Sequence, residues 1–403
     1  MKIKVYPISS VLSSGSAKTV VETRDELLRR LHDLTNNEFV LVDSVDELNK
    51  DDGSLSLIFI QSGGSEGKFL EIYDQLKEPY YLLTLGSNNS LAASMEILTY
   101  LKAHGKKGEI LHGDINYIAQ RIRDIVNLEY QPDKLGVVGR PSDWLIASHE
   151  VNQETLLNKF NIELVNIDIN EVIQDALSRT DDLNEDMFKA KFDHEELKRA
   201  YHVYKALVNI INKYNLKGIT IRCFDLISSK LKTTACLALS LFNDEGIIGC
   251  CEGDLPALIS MFMVRKVLHK PSFQANPSKI DVPTSEMIIA HCTLPTKMTT
   301  SYKFMTHYES DLGVGIKGEL EEKNIKLFRI GANLDKFVFL DANIEENLNL
   351  PNLCRTQIKI HVNGDILYFL KRPLGNHHII FYSDENDNKL KQTLLDLGLE
   401  EVK

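Results

Sequence analysis

The sequence predicts an α/β protein: two Rossmann-like domains on parallel sheets, followed by a C-terminal antiparallel β-barrel-like domain. Three observations carry this. Strand-like and helix-like segments alternate over residues 1 to about 132, the rhythm of a parallel sheet covered by helices. The rhythm restarts after the linker-like Gln131-Pro132-Asp133. From about Asp281 helical periodicity fades, and short β-rich runs follow at intervals set by Gly, Asn and Asp turns. The expected domains are residues 1–132, 133–280 and 281–403. A chain of 403 residues is too long for one ordinary core, so several domains are required in any case.

The elements follow in order. Lys2–Ile8 opens as a strand, Val21 to Leu31 is helical, and Glu38–Val42 is a strand. Ser56–Gly67 is a strand ending in a glycine-rich turn, followed by a helix from Glu66 to Leu76. The run from Tyr80 to Gly105 is strand, polar turn and helix. The turns Gln61–Ser65 and Gly86–Ser90 lie where open α/β sheets bind ligands, but neither is GxGxxG and no GxxxxGK[ST] occurs. In the second series, Lys134–Ser148 is strand, turn and the start of a helix, and the turn holds the only tryptophan, Trp144. Phe160–Ile167 is a strand. Met187 to Tyr214 is a helix with the capping-box pattern Asp193-His194-Glu195-Glu196. Lys217–Ile227 reads as a strand whose Ile219, Ile221, Cys223 and Asp225 share one face. Thr233 to Phe242 is helical.

The stretch Gly246 to Met263 reads as a buried parallel strand that delivers Glu252 and Asp254 to its carboxyl end, after which a helix begins. Asp254 occupies an N-cap position and Pro256 the first turn, so a capping role suffices for Asp254. Glu252 needs more explanation, because a carboxylate ending an apolar strand is costly unless paired, exposed or metal-bound. The β-rich runs are EMIIAHCTL, LGVGIKGEL, KLFRIGANL, KFVFLDA, QIKIHVN and HHIIFYS. Asp341 to Asn349 reads as an acidic loop or edge, and Lys389 to Leu397 as a closing helix.

Net charge is −11, spread along surface helices, which argues against a general nucleic-acid binder. No run approaches the ~18 apolar residues needed to span a bilayer, and the first residues lack a signal-peptide core. The six cysteines have no CxxC spacing and sit mostly in apolar segments, as reduced buried thiols do. The expected setting is cytoplasmic, without nucleic-acid or membrane partners.

Asp225, Glu252 and Asp254 end neighbouring strands, and the β-rich region adds His291, His307 and the pair His377-His378. Carboxylates with an imidazole and open water positions suit Mn²⁺, Mg²⁺ or Co²⁺ better than a closed zinc site. The runs ITIRCFDLI, TACLALSLFNDEGIIGCCEGDLPALISM, AHCTLP, CRTQIKI and GNHHIIFY resemble the C-terminal half of L-fucose isomerase-like proteins, which share a superfamily with L-arabinose isomerase. GRPSDWLIAS and SNNSLAASMEIL are similar to the family's shorter members.

The resemblance implies an aldose–ketose isomerase with Mn²⁺ (or Mg²⁺ or Co²⁺) held by Asp225, Asp254 and His377. Asp225 stands where well-known members have Glu, so Glu252 is the alternative first ligand. Asp225 and either Asp254 or Glu252 are implied as base and acid. His291 matches a histidine near the metal in the arabinose branch. Tyr308, Glu309, Arg355 and Asn376 are candidate sugar contacts, and Trp144 either stacks on the sugar or packs under its turn. The family's usual trimers or hexamers imply a homo-oligomer, a neighbour's N-terminal domain helping to cover each site. The other reading is a sugar-binding or regulatory protein that kept the fold and lost the chemistry. A lyase or epimerase on a related sugar acid is a third.

Overall fold

A computed structural model describes residues 1–10, 14–50, 52–130, 132–183, 188 and 191–402. The chain divides into two compact units, Met1–Gln131 and Pro132–Lys403. The first unit holds five parallel strands: β1 (Lys2–Ile8), β2 (Glu38–Leu41), β3 (Leu55–Ile60), β4 (Tyr80–Thr84) and β5 (Gly108–Leu111). Their order is β2-β1-β3-β4-β5, with apolar clusters on both faces, as parallel sheets require.

The second unit begins with another parallel sheet: β6 (Asp133–Val138), β7 (Ile162–Ile167), β8 (Leu216–Ile221) and β9 (Ile248–Cys251), in the order β7-β6-β8-β9. The helix His194–Tyr214 packs on it, capped by the Asp193 carboxylate, which accepts from the Glu196 N–H at 2.9 Å. The expected helix start at Met187 lies outside the described residues, but the described residues 188 and 191–193 are not helical, so the helix begins later than expected, at His194.

The remaining strands are β10 (Phe273–Asp281), β11 (Glu286–His291), β12 (Thr299–Met305), β13 (Gly315–Leu320), β14 (Asn324–Ile330), β15 (Lys336–Asn347), β16 (Thr356–Val362), β17 (His378–Tyr382) and β18 (Glu400–Glu401). Six of them close an antiparallel barrel, β14-β17-β10-β11-β16-β15 and back to β14. Closure leaves those six without a free edge. β12 and β13 form a separate hairpin, and β18 adds to β15 in parallel. The expected α/β architecture, two parallel sheets and then a β-barrel, is therefore the one observed.

The helix Leu255–Leu268 joins the parallel sheet to the barrel. Every residue from Leu255 to Val264 is buried, as a helix apolar all round must be. Its neighbours include Val137 and Cys250 on the sheet side and Phe328, Phe339 and Phe381 on the barrel side.

Three expectations need correction. No helix starts within Lys134–Ser148: after β6 ends at Val138 the chain runs in turns, and the next helix is Gln153–Phe160. Lys217–Ile227 is not one strand: β8 stops at Ile221 and a short helix, Cys223–Ser228, follows. Asp225 therefore lies in a first helical turn, not in an inward strand row. Asp341 to Asn349 is largely strand, because β15 runs on to Asn347 with Ala342 and Ile344 buried and Asp341, Asn343 and Glu345 exposed. Alternation sets the strand there, and the acids are its outer face.

Candidate metal centre

β9 ends at Cys251, and the chain then turns sharply. Glu252 has φ +66° and Gly253 φ +73°. A left-handed glutamate is uncommon and is held by its surroundings. Its carbonyl accepts from the Ser142 N–H at 2.9 Å. Gly253 must be glycine here, since a Cβ would meet Pro141. The Gly253 N–H donates to Thr220 Oγ1 at 3.1 Å. This turn breaks strand alternation and aims the Glu252 carboxylate at the barrel.

Two histidines meet it. His291 ends β11, and Thr293 Oγ1 lies 3.1 Å from its Nδ1, so its Nε2 faces Glu252 Oε1 at 3.6 Å. His377 immediately precedes β17 and is fully buried; its Nδ1 lies 2.8 Å from Asp254 Oδ2 and its Nε2 3.4 Å from Glu252 Oε1. The two rings stand edge to face with centroids 5.6 Å apart. One donor atom from each of Glu252, His291 and His377 lies within 4.8 Å of the others. It is the only such group among the described residues.

The donor set fits a divalent cation. His377 Nε2 is buried without a hydrogen-bond partner. At 3.4 Å the Glu252 carboxylate stands beside it without forming a well-placed hydrogen bond. Ligand atoms about 2.1 Å from one ion stand roughly 3–3.5 Å apart, close to the 3.4 and 3.6 Å between Glu252 and the two imidazoles. The Nδ1 of His377 is taken by a carboxylate, the usual second partner of a metal-bound imidazole.

Charge follows from burial and neighbours. Burial opposes ionisation of Glu252, but His377 and His291 outweigh it and hold the carboxyl well below its usual range. Burial opposes a charge on His377, yet Glu252 and Asp254 push its pKa up to about 9. Asp254 is likewise opposed by burial and held low by Arg329, then His377.

The other expected residues are placed as follows. Asp254 is fully buried and caps the Leu255–Leu268 helix, Oδ1 accepting from the Ala257 N–H at 2.8 Å. Its oxygens also meet Arg329 at 3.1 and 3.2 Å. Asp225 lies 3.6 Å from Arg222 Nε and is not a member of the three-donor group. Trp144 donates its Nε1–H to Glu252 Oε2 at 2.7 Å, with Phe224 edge-on at 5.2 Å. Glu309 is exposed overall, yet partial desolvation and then the Glu252 charge raise its pKa. His307 is pushed down to about 4 by burial, then by His291. Arg355 donates to Thr306 O at 2.6 Å and covers the Tyr308 ring at 5.7 Å. Asn376 donates to Asn276 Oδ1 at 3.3 Å and lines a cleft of about 880 Å³ with Leu374, Gly375 and Lys336. All six cysteines are free thiols.

Sequence reading missed Arg329 and Thr293. Arg329 had one visible signal, a cation set among apolar residues in the run LFRIGANL. No helix among the described residues is long and apolar enough to cross a membrane.

No family model matches the chain. It is similar to the sulfoquinovose isomerase of Clostridium sp. (strain MSTE9), 21% identical over 276 residues that make up 64% of this chain and 62% of that protein. It is 20% identical over 229 residues to the sulfoquinovose isomerase of Alkalicoccus urumqiensis, covering 52% of this chain and 50% of the relative. The sulfoquinovose isomerase of Priestia aryabhattai is 20% identical over 221 residues, 51% and 49% of the two chains. These are distant relationships to sugar isomerases, and the match spans less than two thirds of each relative.

Proposed function

We propose that the protein is a divalent-cation-dependent aldose–ketose isomerase of the L-fucose isomerase-like type. The observation that carries this is the buried Glu252–His291–His377 group in a chain similar to sugar isomerases. With two imidazoles and one carboxylate, Mn²⁺ or Co²⁺ suits the donors better than Mg²⁺, which prefers oxygen.

When bound, the cation supplies Lewis-acid polarisation of the sugar carbonyl. The residues do the rest. Asp254 accepts the His377 Nδ1–H and so turns Nε2 toward Glu252. Trp144 holds Oε2 of Glu252 and leaves Oε1 facing both imidazoles. Arg329 offsets the charge of Asp254, so Glu252 supplies the net negative charge of the donor set. With one uncompensated carboxylate, the donors would leave a bound dication un-neutralised, which would favour the negative charge that develops as a proton moves between C1 and C2. Asp225 and Glu309 are the carboxylates we assign to carry that proton. The raised pKa of Glu309 brings it nearer the range a general acid–base group needs. Sugar contacts are assigned to Tyr308, Arg355 and Asn376, and the assembly to a homotrimer or homohexamer.

The test is ketose formation from a panel of aldoses, sulfoquinovose included, after chelation and reloading with Mn²⁺, Co²⁺ or Mg²⁺. Solvent deuterium should enter C1 of the ketose during turnover. The ion pair of Asp225 with Arg222 favours one other reading, a sugar-binding protein without turnover. Cation and sugar binding with neither ketose nor deuterium exchange would select it. Size measurement by light scattering checks the assembly.

A further inference from the structure

Arg329 lies on β14 and is completely buried. A guanidinium in an apolar strand persists only if its donors are met. Here its nitrogens reach three separate segments. Nε donates to Leu374 O at 2.9 Å and Nη1 to His377 O at 2.7 Å, both in the loop before β17. Nη1 and Nη2 grip the Asp254 oxygens at 3.1 and 3.2 Å, at the start of the Leu255–Leu268 helix. Nη2 also donates to Ser148 Oγ at 2.7 Å. Gly375 has φ +136°, and a Cβ there would collide with the guanidinium, so the loop is shaped around this side chain.

Each segment leads to a donor of the centre. Asp254 and the Leu374–His377 loop fix His377 from its ring and from its backbone. The Ser142–Ser148 loop carries Trp144, and its Ser142 N–H holds the Glu252 carbonyl. We propose that Arg329 is a positioning residue: by fastening Asp254 and the His377 carbonyl together, it sets the orientation of His377 and hence the cation affinity of the centre. This rests on reading Glu252, His291 and His377 as a metal centre. Charge neutralisation alone would not need an arginine. A lysine supplies the charge at one point, whereas only the planar fork can meet Leu374, His377, Asp254 and Ser148 together.

Arg329→Lys therefore separates charge from geometry, and Ser148→Ala removes one bond without touching the charge pair. The full-length protein is stripped of metal, and Mn²⁺ affinity is measured by calorimetry. The visible spectrum of the Co²⁺ form and the metal-free melting temperature are recorded beside it. Arg329→Lys should weaken Mn²⁺ binding about 10–100-fold, as loss of outer support to a metal-bound histidine does, and should alter the Co²⁺ bands. Ser148→Ala should weaken binding severalfold in a protein that melts near the parent temperature. A folded Arg329→Lys protein with parental affinity and an unchanged Co²⁺ spectrum overturns the proposal. Should Arg329→Lys not fold, parental affinity and spectrum in Ser148→Ala overturn it instead. If the parent protein binds neither ion, the metal-centre reading itself fails, and the positioning role with it.

Discussion

Cation binding should displace a proton from His377, and the effect can be worked from the structure. Without metal, Glu252 and Asp254 flank the ring and raise its pKa from 6.5 to about 9. That rise is worth about 3 kcal/mol in favour of the folded protonated form. Its sign is fixed by linkage. The stabilisation is complete below pH 6.5 and disappears as pH rises through about 9. Glu252, whose pKa is lowered, contributes in the opposite sense and loses its share as pH falls through the acid range. The metal-free protein should thus be most stable in mildly acidic solution. A cation needs the Nε2 lone pair, so the imidazolium proton must leave. Apparent affinity should then rise about tenfold per pH unit between pH 6 and 8, and about one proton should be released per cation. Calorimetry of Mn²⁺ binding in buffers of different ionisation enthalpy measures that number. A pH-independent affinity with no proton release would refute the reasoning.

Further outcomes follow from the same geometry. Glu252→Gln removes the charge of the donor set and should abolish cation retention and turnover together, read by metal analysis and ketose assay. Trp144→Phe deletes one donor to the Glu252 carboxylate. Since the indole is half exposed, the loss should be about 1 kcal/mol, or roughly fivefold in Mn²⁺ affinity. Gly253→Ala forces a Cβ onto Pro141 at φ +73° and should cost about 1–3 kcal/mol, seen as a lower melting temperature. Asp225→Asn and Glu309→Gln should reduce turnover while leaving cation affinity within severalfold of parental. Parental turnover in both would remove them as proton carriers.

The architecture was legible because its cause is periodic. Alternating strand and helix signals mark the two parallel sheets, and the loss of helical spacing marks the barrel. Asp225 was misplaced onto a strand because Cys223-Phe224-Asp225-Leu226 continues the apolar texture of β8, while the break comes from a helix too short to show a period. The acids of β15 read as loop because an exposed strand face and a polar loop have the same composition. Within the site, the turn after Cys251 was visible as Glu-Gly-Asp before an apolar helix. The different tasks of its two acids were not. Strand alternation does not anticipate a left-handed Glu252, and the partner that occupies Asp254, Arg329, comes from a strand 75 positions away. Long-range pairings of this kind have no local signal.

The three donors lie far apart along the chain, with 39 positions from Glu252 to His291 and 86 from His291 to His377. An unfolded chain cannot gather them without closing both loops, so an ion at this centre would bind almost solely to the finished fold. It would staple the end of the parallel sheet to two strands of the barrel. A thousandfold excess over its dissociation constant would add about 4 kcal/mol to stability. Heating the protein with and without Mn²⁺ would then register the assembly of the barrel against the sheet, before any sugar is known.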